Sequence, residues 1–141
     1  MPEYRKILLD TNFLMIPGNL GVDILKELDR VCNFNYKLYI VDKSLDELKK
    51  LPEKARKEKT TTKIAVNIAF KLIELLTKEG KINIIPAKTD ERLKDKYVDD
   101  VIKSLADEYI IATTDSELKK HLKRMIILRG KNHLELIDNN I

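Results

Sequence analysis

Short aliphatic runs alternate with amphipathic segments along most of the chain. The runs that fit buried strands are Arg5 to Leu9, Leu38 to Val41, Ile82 to Ile85, Tyr109 to Ala112 and Met125 to Leu128. Continuous aliphatic runs of this length are typical of strands that are covered on both faces, as in a parallel sheet. The pattern therefore predicts a mainly parallel, roughly five-stranded sheet.

Apolar residues at helical spacing fill the intervals between these runs. The predicted helices are Gly21 to Cys32, Ser44 to Leu51, Ile64 to Leu76, Asp99 to Ala106, a short one from Asp115 and a last turn at His133 to Ile137. The second one is expected to end before Pro52, because proline cannot continue a helix. We expect the polar stretch Glu53 to Lys63 to be either an exposed connection or the frayed start of the next helix. Strand–helix alternation of this kind predicts a three-layer α/β/α fold with helices on both faces of the sheet.

Composition narrows the class of protein. The 141 residues are 43% hydrophobic and 35% charged, which predicts a single folded domain over residues 1–141. Lys and Arg number 27 against 23 Asp and Glu, and this mild excess permits a polyanionic partner without requiring one. A single cysteine, Cys32, and two distant histidines disfavour a disulfide or a zinc site. No apolar run is long enough to span a bilayer and no signal-peptide pattern is present, so we expect a cytoplasmic protein without a membrane partner.

Acidic residues recur where predicted strands end and the following helices begin. Asp10 follows the first strand, Glu47 lies early in the helix after the second, and Asp115 follows the fourth. Asp99 and Asp100 open the helix that leads to the fourth strand. In a parallel sheet these positions share one edge. Crowded carboxylates repel one another unless a hard cation such as Mg²⁺ or Mn²⁺ neutralises them, which predicts metal-dependent phosphodiester hydrolysis.

Each acid also has a purely structural explanation, and the sequence leaves both readings open. The segment Ser44 to Glu47 matches a capping box. Asp99 and Asp100 suit a helix N-terminus through the helix dipole, and Asp115 suits the N-cap of the next helix. Asp10 would in this case only turn the chain out of the strand.

The acid-bearing motifs resemble those of the PIN domain, a metal-dependent ribonuclease fold. They read Leu-Leu-Asp-Thr-Asn-Phe-Leu at Asp10, Ser-Leu-Asp-Glu-Leu at Glu47, Asp-Asp-Val-Ile from Asp99 and Ala-Thr-Thr-Asp-Ser-Glu-Leu at Asp115. Their order and spacing extend the resemblance over nearly the whole chain. The resemblance implies endonucleolytic cleavage of RNA with Mg²⁺ or Mn²⁺ as the cofactor.

The resemblance also implies roles for individual residues. The catalytic acids would be Asp10, Glu47, Asp100 and Asp115, with Asp99 as an additional metal ligand. Supporting residues, which orient Asp10 or hold a metal-bound water, would be Thr11, Asn12, Thr113 and Ser116. Similar proteins include ribosomal RNA processing nucleases and VapC-type toxins. The partners implied are RNA, a second copy of the chain, and an antitoxin or a ribosome-assembly protein.

Two basic stretches are predicted to bind RNA. The candidate contacts are Lys54, Arg56, Lys57, Lys119, Lys120, Lys123 and Arg124. We expect them to form a basic rim around the acids that holds phosphates. The sequence contains no run of aromatic residues, so contacts to the RNA backbone are expected to dominate.

The sequence also allows two alternative functions to be compared and suggests one apolar face for self-association. A catalytically silent RNA-binding module of a ribosome-maturation complex would bind RNA without metal. A small-molecule phosphatase of the haloacid-dehalogenase type is disfavoured, because Asn12 stands where that class needs a second aspartate. The apolar residues Phe13, Val22 and Ile24 are the candidate face for self-association.

Overall fold

The computed structural model describes residues 3–55 and 59–138, and within these ranges the chain forms strands, α-helices and two short 3-10 helices. The strands are β1 (Arg5–Leu9), β2 (Tyr36–Val41), β3 (Ile82–Ile85), β4 (Ile110–Ala112), β5 (Arg124–Arg129) and β6 (His133–Asp138). The α-helices are α1 (Ile16–Leu20), α2 (Ile24–Val31), α3 (Asp42–Lys54), α4 (Lys59–Lys78), α5 (Val98–Leu105) and α6 (Ser116–Lys119). The 3-10 helices are Thr11–Met15 and Ala87–Thr89.

All the strands form one sheet in the order β3-β2-β1-β4-β5-β6. Strands β1 to β5 pair in parallel, and β6 pairs antiparallel with β5. The central strand β1 buries Ile7 and Leu8 completely, as its uninterrupted aliphatic run predicts. The prediction of a three-layer α/β fold with a mainly parallel sheet is confirmed.

Helices cover both faces of the sheet. Ile7 and Leu9 pack on the side that includes Leu28 of α2 and Ala69 of α4. Leu8 faces the opposite side, where α5 and α6 pack. Since all the parallel strands run the same way, their C-terminal ends form one edge of the sheet and their N-terminal ends form the other. These two edges are called the C-terminal edge and the N-terminal edge below.

The last element differs from its prediction. His133 to Ile137 was expected to be a helical turn, and it is strand β6 instead. Leu134 is buried while its neighbours on either side are exposed, which is the alternation of a strand with one covered face. A short turn joins β5 to β6, and its residues Gly130 and Lys131 have positive φ angles of 58° and 61°. This hairpin adds the sixth strand to the sheet.

Two helices extend beyond their predicted limits. The helix expected at Ser44 to Leu51 is α3, which begins at Asp42 and includes Pro52 in its last turn. Proline lacks an N–H, yet the helix continues because the Ala55 N–H still bonds to the Leu51 carbonyl at 3.2 Å. The predicted connection after α3 is helical from Lys59 onward.

Strand β6 forms one lateral margin of the sheet, and side chains from α2 bond to its outward backbone. Glu27 accepts a hydrogen bond from the Leu134 N–H at 2.9 Å, and Arg30 donates to the Leu134 carbonyl at 2.7 Å. Arg30 also bonds to Glu27 through two nitrogens. The bond from Arg30 and the bond from Leu134 lower the pKa of Glu27 to about 2. The opposite margin is β3, where Ile84 is 47% exposed.

Helix α1 crosses α4 at a glycine that has no room for a side chain. A Cβ atom added to Gly18 would lie 2.5 Å from the Cα of Ala65. We therefore expect Gly18→Ala to lower the free energy of unfolding by about 1 to 2 kcal/mol, because the backbone of α4 must move. Chemical denaturation measures this loss, with Asn19→Ala on an exposed position of α1 as the control. Equal stability of the two variants would contradict the close crossing.

The apolar face predicted for self-association does not exist as a surface. Phe13 is fully buried, Ile24 is 2% exposed and Val22 is 8% exposed. All three pack into the core beside the sheet, so that prediction is wrong. Among the helices in the described part of the chain, none has the length and apolar content needed to cross a membrane.

Candidate active site

Asp10 lies at the C-terminal edge directly after β1 and is 2% exposed. Its Oδ1 accepts the Thr11 N–H at 2.8 Å, and its Oδ2 accepts the Thr113 hydroxyl at 2.7 Å. Thr113 follows β4, and its oxygen in turn accepts the Asp115 N–H at 3.0 Å. This chain of hydrogen bonds joins the ends of two neighbouring strands and fixes the Asp10 carboxylate in one orientation.

The charge of Asp10 is unfavourable where it stands. Burial raises the pKa of Asp10 to about 6, although the bonds from Thr113 and Thr11 act in the opposite direction. The negative charges of Asp99 and Glu47 raise this pKa further. The structure therefore brings carboxylates from three separate segments within electrostatic reach of one another.

Asp99 lies within electrostatic reach of Asp10 and also of a fourth acid, Asp115. Burial raises the pKa of Asp99, and the charges of Asp115 and Asp100 add to this effect while Lys103 opposes it. Asp10, Glu47, Asp99 and Asp115 are called the acidic cluster below. Asp100 acts on its neighbour Asp99, whereas it is not among the groups that shift the pKa of Asp10. Adjacent residues of a helix point about 100° apart, so only one of the pair can face Asp10.

Glu47 does not take part in a capping box. Helix α3 begins two residues before Ser44, and Ser44 is fully buried inside its first turn. The Ser44 hydroxyl has no hydrogen-bond partner within residues 3–55 and 59–138. The capping explanation for Glu47 is therefore wrong, and the half-buried carboxylate of Glu47 interacts with Asp10 instead.

Asp115 caps the helix that follows it, which was the structural explanation expected from the sequence, and its charge also acts on Asp99. Its Oδ1 accepts the N–H groups of Glu117 and Leu118 at 2.9 and 3.2 Å, so it is the N-cap of α6. Its charge also raises the pKa of Asp99. Ser116, expected to hold a water, is exposed as the first residue of α6.

The first turn of α3 anchors the segment that leads to Asp99. The Lys43 ammonium donates to the carbonyls of Leu93, Lys94 and Lys96 at 3.0, 2.7 and 2.6 Å. These carbonyls immediately precede α5. Lys43 lies one helical turn before Glu47 and on the same face of α3. One helix thus carries Glu47 and also fixes the approach to Asp99.

The preceding residue of α3 secures the other end of the same segment. The Asp42 carboxylate accepts the N–H groups of Ala87 and Lys88 at 3.1 Å each. Lys88 also pairs with Asp46 of α3. Neither Asp42 nor Lys43 could be recognised from the sequence, because their partners lie about fifty positions away and no local pattern indicates such contacts.

The acidic cluster suits a hard divalent cation in its chemistry. Its donor atoms are carboxylate oxygens, which Mg²⁺ and Mn²⁺ prefer. In the described part of the chain, no three acids, histidines or cysteines are arranged as a preformed metal-binding group. Mg²⁺ does not need one, since it binds through one or two carboxylates and keeps several waters. The buried Thr11 hydroxyl beside Asp10 has no hydrogen-bond partner among the described residues, so a polar position is free there.

A shallow depression of about 430 Å³ adjoins the acidic cluster. Its lining includes Asn12 next to Asp10, Thr114 next to Asp115, and Lys54 at the end of α3. Amide, hydroxyl and ammonium groups of this kind bind sugar and phosphate oxygens. Asn12, predicted as a supporting residue, is exposed in this depression.

The predicted basic rim is only partly at this edge. Lys54 lies beside the depression, and Lys119 and Lys120 lie at the end of α6, where Lys120 pairs with Glu117 at 3.0 Å. Lys123 and Arg124 lie at the start of β5, and parallel pairing with β4 places them at the N-terminal edge, away from the acids. Their assignment to the rim is therefore wrong. Arg56 and Lys57 fall outside the described residues.

Known proteins similar to this chain identify its family. A family model described as a PIN-like domain matches residues 7–131. The chain belongs to the PIN domain family. The PIN-domain family expected from the sequence is thereby confirmed.

Individual relatives support the same assignment of this PIN domain. It is 30% identical to Ribonuclease VapC4 of Methanocaldococcus jannaschii over 138 residues, covering 93% of this chain and 95% of the relative. It superposes on the PIN domain endonuclease Utp24 with a TM-score of 0.64 at 19% identity, covering 94% of this chain and 93% of the other. A domain of a functionally unknown protein from Methanocaldococcus jannaschii gives a TM-score of 0.56 at 18% identity, covering 89% and 92%.

Proposed function

We propose that this PIN domain is a divalent-metal-dependent endoribonuclease. The observation that carries the proposal is the burial of Asp10 amid other carboxylates, which raises its pKa to about 6. A protein gains nothing in stability from such an arrangement, because each added negative charge is costly there. A cation that binds the cluster would remove this repulsion. The proposal is also supported by the 30% sequence identity between this chain and a protein named as a ribonuclease.

One or two of the carboxylates of Asp10, Asp99, Asp115 and Glu47 would hold Mg²⁺ or Mn²⁺ directly in this proposal, and the others would bond to the waters of the ion. When bound, the cation supplies an activated water and stabilises the oxygen that leaves the phosphodiester. Thr113 keeps Asp10 in place through its hydroxyl. Lys43 keeps the segment before Asp99 against α3. Asp100 is not a ligand in this scheme, which differs from the expectation drawn from sequence.

RNA would reach the cluster through the adjoining depression. Lys54 would attract a phosphate, while Asn12 and Thr114 would bond to sugar or phosphate oxygens. These groups do not read the edges of bases, so the depression itself would select RNA chains with little preference for sequence.

Within the family, we favour a VapC-type ribonuclease over a ribosomal RNA processing enzyme. The relative named VapC4 matches at 30% identity and nearly full length, whereas Utp24 matches at 19%. A VapC-type role implies a small antitoxin as the partner, encoded next to this protein. Co-expression of the neighbouring reading frame and co-purification of its product would test that part of the proposal.

The decisive test compares two adjacent acids in an RNA cleavage assay with Mn²⁺, Mg²⁺ or EDTA. We expect cleavage with either metal and none with EDTA. Asp99→Asn should reduce the rate at least tenfold, because its charge faces Asp10 and Asp115, while Asp100→Asn should change it less than about threefold. The two variants lose the same charge from the same turn of α5, so each is the control for the other. Cleavage that persists in EDTA, or that needs Asp100 more than Asp99, would contradict the proposal.

The alternative function, a catalytically silent RNA-binding module, predicts different results for the wild type and the same variants. It requires RNA binding that falls with salt and is unchanged by metal or by Asp99→Asn. The raised pKa of Asp10 favours the enzyme, since a module that only binds phosphates has no use for buried carboxylates beside its RNA.

A further inference from the structure

Aromatic side chains gather at the N-terminal edge of the sheet, opposite the acidic cluster. Tyr4 precedes β1, Phe34 and Tyr36 stand at the start of β2, and Tyr109 precedes β4. Tyr39 of β2 packs edge-on against Tyr109 with ring centroids 5.3 Å apart. These five residues are called the aromatic edge below. They include four of the five tyrosines of the protein. They come from separate segments, so no aromatic run reveals them in the sequence.

Cationic side chains lie over these rings. The Lys37 ammonium is 4.4 Å from the Tyr4 ring centroid, and the Arg5 guanidinium is 4.6 Å from that of Phe34. The Lys6 ammonium lies between two rings, 5.4 Å from Tyr109 and 5.9 Å from Tyr39. Within residues 3–55 and 59–138, neither Lys6 nor Lys37 forms an ion pair with an acid. The edge therefore offers the partly exposed rings of Tyr4, Phe34 and Tyr36 together with the charges of Lys6 and Lys37. Tyr109 is buried, and Arg5 pairs with Asp138 at 3.9 Å.

The aromatic edge borders a cleft of about 550 Å³. Tyr4, Phe34 and Tyr36 line it, with Lys37 and Lys81 also in its wall. This volume is within the range of sites that bind molecules the size of a nucleotide. Two acids also line the cleft, Glu3 and Asp29. The Asp29 carboxylate accepts the Tyr36 hydroxyl at 2.6 Å and so holds that ring in place.

We propose that the aromatic edge is a second RNA-binding surface, which takes an unpaired stretch of the substrate. Bases would stack on the rings around the cleft, and phosphates would pair with Lys6 and Lys37. An acidic peptide could pair with the lysines but would have no bases to stack on the rings. Single-stranded RNA can make both contacts and therefore fits this surface better. Lys123 and Arg124, which the parallel topology puts at this edge, add to its positive charge. The inference rests on the proposed function, because it takes RNA as the substrate.

The position of the aromatic edge has a direct consequence for substrate length. The five residues of β1 separate it from Asp10, which is roughly 17 Å along the strand. A very short RNA can occupy the acidic cluster alone, whereas a longer one can contact both edges. Affinity should therefore rise with RNA length, and only the gain from length should depend on the aromatic edge.

Fluorescence anisotropy of the full chain in EDTA, with an unstructured RNA of about 12 nucleotides, tests this surface. We expect Tyr4→Ala to weaken binding about tenfold and Lys37→Gln about threefold. The matched control is Lys26→Gln, which removes an exposed lysine from α2 without touching the cleft. Cleavage of an RNA of about four nucleotides with Mn²⁺ should stay within about twofold of wild type in both test variants. Lys37 is exposed, so its variant will fold even if Tyr4→Ala does not.

Tyrosine fluorescence gives an independent readout, because the protein has no tryptophan to mask it. RNA bound at the aromatic edge should quench the emission in EDTA, and Lys37→Gln should shift the titration midpoint about threefold. Wild-type affinity in both test variants, or no RNA binding by the wild type in EDTA, would overturn this inference. Binding that depends on Tyr4 and Lys37 in a protein that cleaves no RNA would uphold it while refuting the nuclease proposal. If the protein cleaves RNA and both variants bind RNA as the wild type does, the nuclease proposal is upheld and this inference is refuted.

Discussion

Asp10→Asn is expected to reduce RNA cleavage by roughly a hundredfold or more and, at the same time, to stabilise the fold at neutral and alkaline pH. The loss of activity follows from the removal of the charge at the centre of the acidic cluster. The gain in stability follows from the same removal, because burial and neighbouring carboxylates make that charge costly. A residue kept at a cost to the fold is one that serves function.

The pH dependence of this gain can be worked out from the pKa. Folding raises the pKa of Asp10 from 3.8 to about 6, so the folded protein holds the proton more tightly than the unfolded chain. The destabilisation is absent below about pH 4, grows as the pH rises and is complete above about pH 6. Asparagine is neutral throughout but cannot accept the Thr113 hydroxyl bond at the same atom. We therefore expect a net gain of about 1 to 2 kcal/mol at about pH 8 and none at about pH 4.

Chemical denaturation at the two pH values in EDTA measures the gain. Asp95→Asn, which removes an exposed carboxylate, is the control and should change stability by less than about 0.5 kcal/mol. Addition of Mn²⁺ should raise the melting temperature of the wild type and leave that of Asp10→Asn unchanged, because binding to the folded state alone stabilises it. A destabilised Asp10→Asn at about pH 8, or one that retains cleavage, would refute the assigned role of Asp10.

Lys43→Met is expected to lower the free energy of unfolding by about 2 to 3 kcal/mol and the cleavage rate about tenfold. Methionine keeps the length of the side chain but cannot bond to the carbonyls of Leu93, Lys94 and Lys96. The segment before α5 would then lose its attachment to α3, and Asp99 would no longer be held opposite Asp10. Lys43 is a positioning residue, since it touches the backbone that carries Asp99 and not the acids.

The control for this variant lies on the same helix. Lys49→Met replaces an exposed lysine of α3 and should leave stability and cleavage near wild type. A positioning role predicts a higher Mn²⁺ concentration for half-maximal cleavage in Lys43→Met, measured well below its melting temperature. If the variant is less stable but its Mn²⁺ requirement is unchanged, Lys43 supports only the fold.

Most of the sheet could be predicted because a strand that is buried on both faces consists of a continuous run of aliphatic residues. Strand β1 has its predicted limits for this reason. Strand β3 also has its predicted limits, although it lies at the margin of the sheet and exposes Ile84. Strand β6 was missed because the short segment fits two structures. Leu134 and Ile137 are spaced as on a helical turn, whereas Leu134 and Leu136 are spaced as on a strand. Only pairing with β5, which no local pattern reports, decides between them.

The sequence was enough to predict at which edge of the sheet the acids lie. It was not enough to predict which individual side chains face one another. Topology alone places Asp10 and Asp115 together, since both follow neighbouring parallel strands. The choice between Asp99 and Asp100 depends on the rotation of α5, and Lys43 bonds from a distant position to the segment before that helix. Lys123 and Arg124 were misplaced because nearness to Asp115 in sequence does not reveal that β5 begins at the other end of the sheet.

The side chains at the margin of β6 also limit how this protein can assemble with copies of itself. An added strand needs free amide and carbonyl groups, and those of Leu134 are already occupied by Glu27 and Arg30. Because Glu27 stays ionised down to about pH 2, acidification within the usual range leaves this margin closed. A continuous sheet through two molecules would therefore form more readily across β3, the opposite margin of the sheet, where Ile84 is exposed.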